Sequence, residues 1–162
     1  MNTPPTFRTN GAVGALLDEY EKALNELLFV INGVSNDDLS KIVDTITSDE
    51  DCRSIQTILA HVVSSGYTYA VEVRRWLGEE EQYREKVLLS TAAEYQGALK
   101  KMFQYNVQLF DNHPDLTLCE HDEDQKITVR WGQKYDVEQL FEHAIVHVLR
   151  HRRQIERFKL SL

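Results

Sequence analysis

The sequence predicts an all-α fold, a four-helix bundle with a short extended or hairpin segment before its last helix. Prolines are rare, with two at positions 4 and 5 and one at position 114, so the long interior can be helical. Four segments repeat apolar residues at intervals of three and four, as amphipathic helices do. The apolar share of 42% suffices to bury a core. These features predict one bundle domain over residues 1–162.

The first predicted helix covers about 11–32, after a segment, 1–10, that is expected to be flexible. Asn10 is a residue type that caps helix starts, and Gly33 is a residue type that ends helices. The polar linker that follows, 34–51, contains enough apolar positions for a short helical turn.

The second predicted helix covers about 52–77, with Asp49 or Asp51 as its start signal and Gly78 at its end. The third covers about 92–111 and begins with a capping box. In this motif two residues three apart each accept, through the side chain, a hydrogen bond from the backbone amide of the other. Both helices carry a continuous apolar stripe, so both are expected to face the core.

The fourth predicted helix covers about 137–160 and also begins with a capping box. The stretch before it, 116–135, contains two β-prone runs, at 117–119 and 127–129, around a polar tract. This pattern predicts a loose hairpin or an extended loop.

Charge and composition exclude several classes of protein. Lys and Arg number 18 against 26 Asp and Glu, a net charge of −8, which opposes binding to nucleic acids and to anionic membranes. No segment reads as a signal peptide or a membrane span, so we expect a cytoplasmic protein. The two cysteines, Cys52 and Cys119, form no CxxC pair and are predicted to be reduced and buried.

Four histidines are candidates for a metal site. His143, His147 and His151 follow one another every four residues on the fourth helix. Because His143 and His151 are about 12 Å apart along the axis, only His143 with His147, or His147 with His151, can share one ion. His61 lies in an apolar run of the second helix and supplies the natural third ligand. A hydrogen-bonded core histidine and a solvated HxxxH pair are the alternative interpretation.

Three neutral imidazoles without a thiolate suit Zn²⁺, Ni²⁺, Fe²⁺ or Cu²⁺. A set of three protein ligands leaves coordination positions for water or substrate, which is typical of catalytic sites. The histidine pattern therefore favours a metal-dependent enzyme.

Two stretches of the sequence resemble those of a known family. The last helix carries HVLRHRRQ at 147–154, preceded by VRWG at 129–132 and LFEH at 140–143, and the second helix carries ILAHV at 58–62. This pattern resembles the DinB/YfiT-like superfamily, whose fourth helix has an HxxxHRGQ-like signature. Arg153 stands where that signature has glycine, which predicts a narrower or more basic end of the pocket.

The resemblance implies a bundle of up-down-down-up order, a homodimer, and a divalent metal held by His61, His147 and His151. Zinc or nickel is implied first, with iron, copper and manganese as further ions. The implied partner is a small-molecule substrate, in some members a low-molecular-weight thiol that undergoes S-transfer. In such an enzyme Glu142 or His143 is the candidate for shuttling protons. A metal-dependent hydrolase and a non-catalytic stress-response protein with a vestigial site are the alternatives.

The last helix also carries a cluster of basic residues. One interpretation is a set of cations that stabilises the helix C-terminus, and the other is an anion-binding rim beside the metal. The sequence favours the first interpretation. The cluster comprises Arg150, Arg152, Arg153, Arg157 and Lys159.

Overall fold

All four predicted long helices are present in the computed structural model, which describes residues 6–162. Residues 1–5 of the predicted flexible N-terminus lie outside the described residues. No helix within 6–162 has the length and apolarity that a bilayer crossing requires. The elements are α1 (Gly11–Ile31), α2 (Asn36–Ser40), a 3-10 turn (Glu50–Cys52), α3 (Ile55–Trp76), α4 (Ala92–Asn112), β1 (Ile127–Thr128), β2 (Lys134–Tyr135) and α5 (Val137–Lys159).

Helix α3 begins three residues later than the sequence predicted. Its cap is Ser54, whose hydroxyl accepts from the Thr57 amide while the Thr57 hydroxyl accepts from the Ser54 amide. The predicted start signals belong instead to the preceding 3-10 turn, where the Asp49 carboxylate accepts from the Asp51 amide. Only Arg53 lies between the 3-10 turn and the cap, and Asp51 belongs to the turn and not to α3.

The starts of α4 and α5 agree with prediction, and both capping boxes are present. The start of α1 is less well capped, because Asn10 occupies the cap position without making a side-chain hydrogen bond. Gly33 and Gly78 have φ of 77° and 89°, in the left-handed region that favours glycine where a helix ends.

The predicted hairpin exists, but its strands differ from those expected. Strand β1 pairs antiparallel with β2, Ile127 opposite Tyr135 and Thr128 opposite Lys134. The other predicted run, 117–119, pairs with no strand among the described residues. It passes the start of α5, where the Leu118 carbonyl accepts from the Glu138 amide. The hairpin thereby brings the residues of its turn, 129–133, against α3 and α5.

The packing of the bundle determines which helices can share a site. Helix α1 packs against α4 and α5, and α3 packs against the same two helices. At Gly66 the α3 backbone approaches α4 so closely that a Cβ atom would overlap the buried Met102 side chain. Side chains of α3 and α5 therefore face each other, although His61 and His147 are 86 residues apart in sequence.

Neither cysteine lies in the core, so the predicted burial of both is wrong. Cys119 is exposed in the segment before β1, and Cys52 is partly buried at the end of the 3-10 turn. Both thiols are free, as predicted.

Candidate metal centre

Three histidine side chains converge between α3 and α5. His61 comes from α3, and His147 and His151 come from successive turns of α5. Their potential ligand atoms all lie within 4.8 Å of one another, and the Nε2 atoms of His61 and His147 are 2.9 Å apart. His147 and His151 are buried, with 6% and 3% of their surface exposed, while His61 is half-buried. The cluster is therefore largely shielded from water.

Two of the rings are oriented by a neighbour on their outer nitrogen. His61 Nδ1 lies 3.2 Å from the Asp51 carboxylate, and His151 Nδ1 lies 3.1 Å from the Gln154 side-chain oxygen. Because both neighbours accept hydrogen bonds, each Nδ1 carries the proton and each Nε2 presents a lone pair. This arrangement of outer partners is the one that orients metal-binding histidines.

One buried nitrogen of the cluster has nothing to bind. His151 Nε2 is buried and has no hydrogen-bond partner among the described residues. Leaving a buried polar atom unsatisfied costs about 1–3 kcal/mol. A cation bound between the three imidazoles would satisfy this atom, so the donor set fits a divalent ion.

The environment keeps the three imidazoles neutral, which is the form that binds metals. Burial, assisted by the charges of His151 and His61, lowers the pKa of His147 to about 2. Burial and the charge of His61 lower the pKa of His151 to about 4. Burial also lowers the pKa of His61, although Asp51 opposes this shift. A metal would therefore compete with no proton here near neutral pH.

A pocket of about 480 Å³ opens beside the cluster. Its walls come from α3, α5, the β1–β2 turn and the segments before α3 and α4, so the site joins residues from distant parts of the chain. It is lined by Asp51, His61, Ser64, Ser65, Thr68, Tyr69, Lys86, Arg130, Trp131, Gln133, His143, His147 and Arg150.

The two candidates for proton transfer, His143 and Glu142, lie in different surroundings. The imidazole of His143 lines the pocket, with ring centroids 5.7 Å from Tyr69 and 6.2 Å from Trp131. Its Nδ1 is 3.4 Å from the Tyr135 hydroxyl, and burial lowers its pKa. Glu142 is exposed and is not part of the pocket lining.

Arg153 does not narrow the pocket or make it more basic, contrary to the sequence-based expectation. Its side chain is exposed and lies outside the lining. Of the basic cluster on the last helix, only Arg150 contributes to the pocket. Arg152 pairs with Glu26 of α1, and Lys159 donates to the Val30 carbonyl. Arg152 and Lys159 thus bind α5 to α1.

Sequence reasoning missed the outer partners of the histidines. Gln154 lies three residues after His151 on the same helix face, so helical spacing contains the signal for that contact. Asp51 lies outside α3 and reaches His61 only through the path of the 3-10 turn, which no spacing reveals. Tyr69 is buried in the core, and it also lines the pocket.

These features define a helical-bundle protein with a three-histidine candidate metal centre between two of its helices. A sequence profile of the DinB family matches residues 7–157, nearly the whole chain. The chain therefore belongs to the DinB family, as its histidine motifs indicated. No match was found among curated proteins.

Proposed function

We propose that this protein is a metal-dependent enzyme that holds one divalent ion through His61, His147 and His151. The observation that carries the proposal is the buried, unpartnered Nε2 of His151 beside the Nε2 atoms of the other two rings. Imidazole ligands suit zinc, nickel, iron and copper. The family resemblance favours zinc or nickel, with iron, copper and manganese as alternatives. When bound, such an ion would lower the pKa of a coordinated thiol or water and polarise an acceptor group.

The residues around the cluster have separate tasks in this proposal. Asp51 and Gln154 hold the rings of His61 and His151 in the tautomer that leaves Nε2 free. Tyr69 and Trp131 form an aromatic wall against which the substrate packs. His143, which lines the same pocket, accepts a proton from the substrate on a ring nitrogen.

The reaction that we propose is attack of a low-molecular-weight thiol on a small electrophilic acceptor, in which a C–S bond forms, the leaving group departs from the acceptor, and His143 accepts the thiol proton. The pocket of about 480 Å³ is large enough for a small molecule and opens directly onto His61 and His147. An open pocket at the ligands favours a catalytic site over a purely structural one, in which protein groups close the coordination sphere.

The test begins with elemental analysis of protein purified without a histidine tag. We expect about one divalent ion per chain. His61→Ala and His147→Ala should lose it, while the control His143→Ala should retain it. Metal content that is unchanged in both ligand variants would refute the site.

Activity then separates the two reactions on one preparation of loaded protein. Thiol conjugation to an electrophile is compared with hydrolysis of esters and amides. Conjugation that requires the ion supports the transferase, and metal-dependent hydrolysis without conjugation identifies a hydrolase instead. If the ion is bound but neither reaction occurs, the transferase proposal fails and a non-catalytic role replaces it.

A further inference from the structure

The pocket beside the three histidines is basic, although the protein as a whole is acidic. The chain carries a net charge of −8. The charged residues that line the pocket are three cations and one anion, Lys86, Arg130, Arg150 and Asp51, a local sum of +2. A positively charged cleft in a negatively charged protein focuses a positive electrostatic potential within the cleft, and this favours anionic ligands.

Two of the three cations are not neutralised within the protein. Lys86 is paired, because its ammonium group lies 2.5 Å from an Asp51 oxygen. Within residues 6–162, neither Arg130 nor Arg150 forms an ion pair. The excess charge of the pocket therefore resides on two guanidinium groups, which are the side chains best suited to carboxylates and phosphates.

Arg130 is held in position by its surroundings. Its guanidinium carbon lies 4.3 Å from the centroid of the Tyr83 ring, so the side chain is stacked. Its backbone amide donates to the buried Glu72 carboxylate at 2.9 Å, and the Tyr83 hydroxyl donates to the same oxygen at 3.0 Å. These contacts hold Arg130 in place in the lining of the pocket before any ligand arrives.

Arg150 lies on α5 between His147 and His151 and faces the same pocket as His147. His143, one turn before His147 on the same helix, lines this pocket as well. A ligand bound to Arg150 would thus lie next to the candidate metal ligands.

From this arrangement we infer that the substrate carries an anionic group, a carboxylate or a phosphate, that binds Arg150 and Arg130. The rest of the substrate packs against Trp131 and Tyr69, with its reacting atom toward His61 and His147. That the bound anion is part of a substrate rests on the proposed function. The binding of the anion itself does not depend on the metal.

The experiment measures binding of matched probes to metal-free and zinc-loaded protein by calorimetry. The probes are 3-phenylpropionate, phenyl phosphate and the neutral amide 3-phenylpropionamide, so the two anion types are compared with an uncharged analogue. The variants are Arg150→Gln, Arg150→Lys and the control Arg153→Gln, which removes an exposed arginine of the same helix outside the pocket.

We expect at least one anionic probe to bind about tenfold or more tightly than the amide, in both forms of the protein. Arg150→Gln should lose about tenfold in affinity, Arg150→Lys should lose less, and Arg153→Gln should change little. Whichever anion binds more tightly identifies the group that the substrate carries. Raising the salt concentration should weaken binding of the anions and leave the amide unaffected.

Three results would overturn the inference: equal affinity for anion and amide, equal losses in Arg150→Gln and Arg153→Gln, or no binding of either anion up to about 10 mM. Metal content of each variant is measured in parallel and should match that of the wild-type protein. Absence of metal from the wild type would refute the proposed function, while arginine-dependent binding by the metal-free protein would still stand.

Discussion

Asp51 contacts two partners at the edge of the candidate metal centre. Its carboxylate lies 3.2 Å from His61 Nδ1, and it also accepts hydrogen bonds from the Lys86 ammonium group at 2.5 and 2.7 Å. The lysine holds the carboxylate in place, and the carboxylate fixes the ring. A half-exposed histidine is thereby kept in one tautomer.

Replacing Asp51 should weaken metal binding without abolishing it. We expect Asp51→Asn to lower metal affinity about 10–100-fold, since outer partners of ligating histidines typically contribute that much. The measurement is a competition titration with a chromophoric chelator. Lys86→Met is the matched control, because it removes the ion pair but leaves the contact between Asp51 and His61. We expect a smaller loss for Lys86→Met, and wild-type metal affinity in Asp51→Asn would contradict the role of Asp51 in holding the ring.

The buried histidines should make the metal-free protein sensitive to acid. In the folded state the pKa values of His147 and His151 are about 2 and 4, against an ordinary value of 6.5 in the unfolded chain. Below pH 6.5 the unfolded chain therefore binds protons that the folded protein does not. The free energy of unfolding should be highest above pH 6.5 and fall toward pH 4 by up to about 1.4 kcal/mol per pH unit for each histidine.

Urea titrations of metal-free protein at several pH values would measure this slope. His147→Gln removes one of the two groups. Between pH 6 and pH 4 its free energy of unfolding should therefore fall less steeply with decreasing pH than that of the wild type, by the contribution of one bound proton. A wild-type stability that is constant over this interval would contradict the burial-driven shifts.

Helical spacing and resemblance predicted part of the site at the level of single residues. Spacing restricted the ligands on α5 to two pairs, and resemblance selected His147 and His151, the pair that the structure brings together with His61. Asp51 and Arg130 could not be predicted, because a short 3-10 turn and a hairpin carry them to the pocket. Irregular backbone leaves no periodic signal in a sequence.

At the scale of the elements, prediction succeeded where local chemistry determines the structure. The capping boxes at the starts of α4 and α5 involve residues three apart, so they were visible in the sequence. The pairing of β1 was not predicted, because its partner β2 is a two-residue strand, Lys134–Tyr135, that carries no β-prone run. The run at 117–119 instead contacts the start of α5.

Gly66 lies where α3 approaches α4 closely, against the Met102 side chain. Gly66→Ala should destabilise the protein by about 1–3 kcal/mol, because the new methyl group would overlap the buried Met102. Met102 cannot yield easily, since Tyr20 and Asn106 both donate to its sulfur. The loss would appear as a lower midpoint in urea denaturation at constant slope.

Gly97→Ala on α4 is the control for this substitution. Gly97 is exposed and a Cβ atom there would meet nothing within 4 Å. Alanine should therefore stabilise the helix by about 1 kcal/mol through its higher helix propensity. A change in the free energy of unfolding of the same sign in Gly66→Ala and Gly97→Ala would contradict the role of the close contact between α3 and α4.

At the scale of the whole molecule, we expect the fold to be stable without the candidate metal. A continuous core of buried apolar side chains runs through all four long helices. Metal-free protein should keep its helical circular dichroism, unlike small zinc domains that unfold without their ion. Saturating metal should raise the Tm of the wild type by stabilising the folded state, and it should leave His61→Ala unchanged. Unfolding of the wild type by a chelator at room temperature would contradict this expectation.

The distribution of the proposed ligands over α3 and α5 also governs when the site can be filled during synthesis. His61 and His147 are separated by 86 residues, and α5 is the last helix of the described chain. At about 5–20 residues per second, the ribosome adds His147 roughly 4–17 seconds after His61. Until then the nascent chain offers one imidazole of the three. Metal insertion is therefore expected to be a late event in biogenesis, following release of the final helix and its docking on α3.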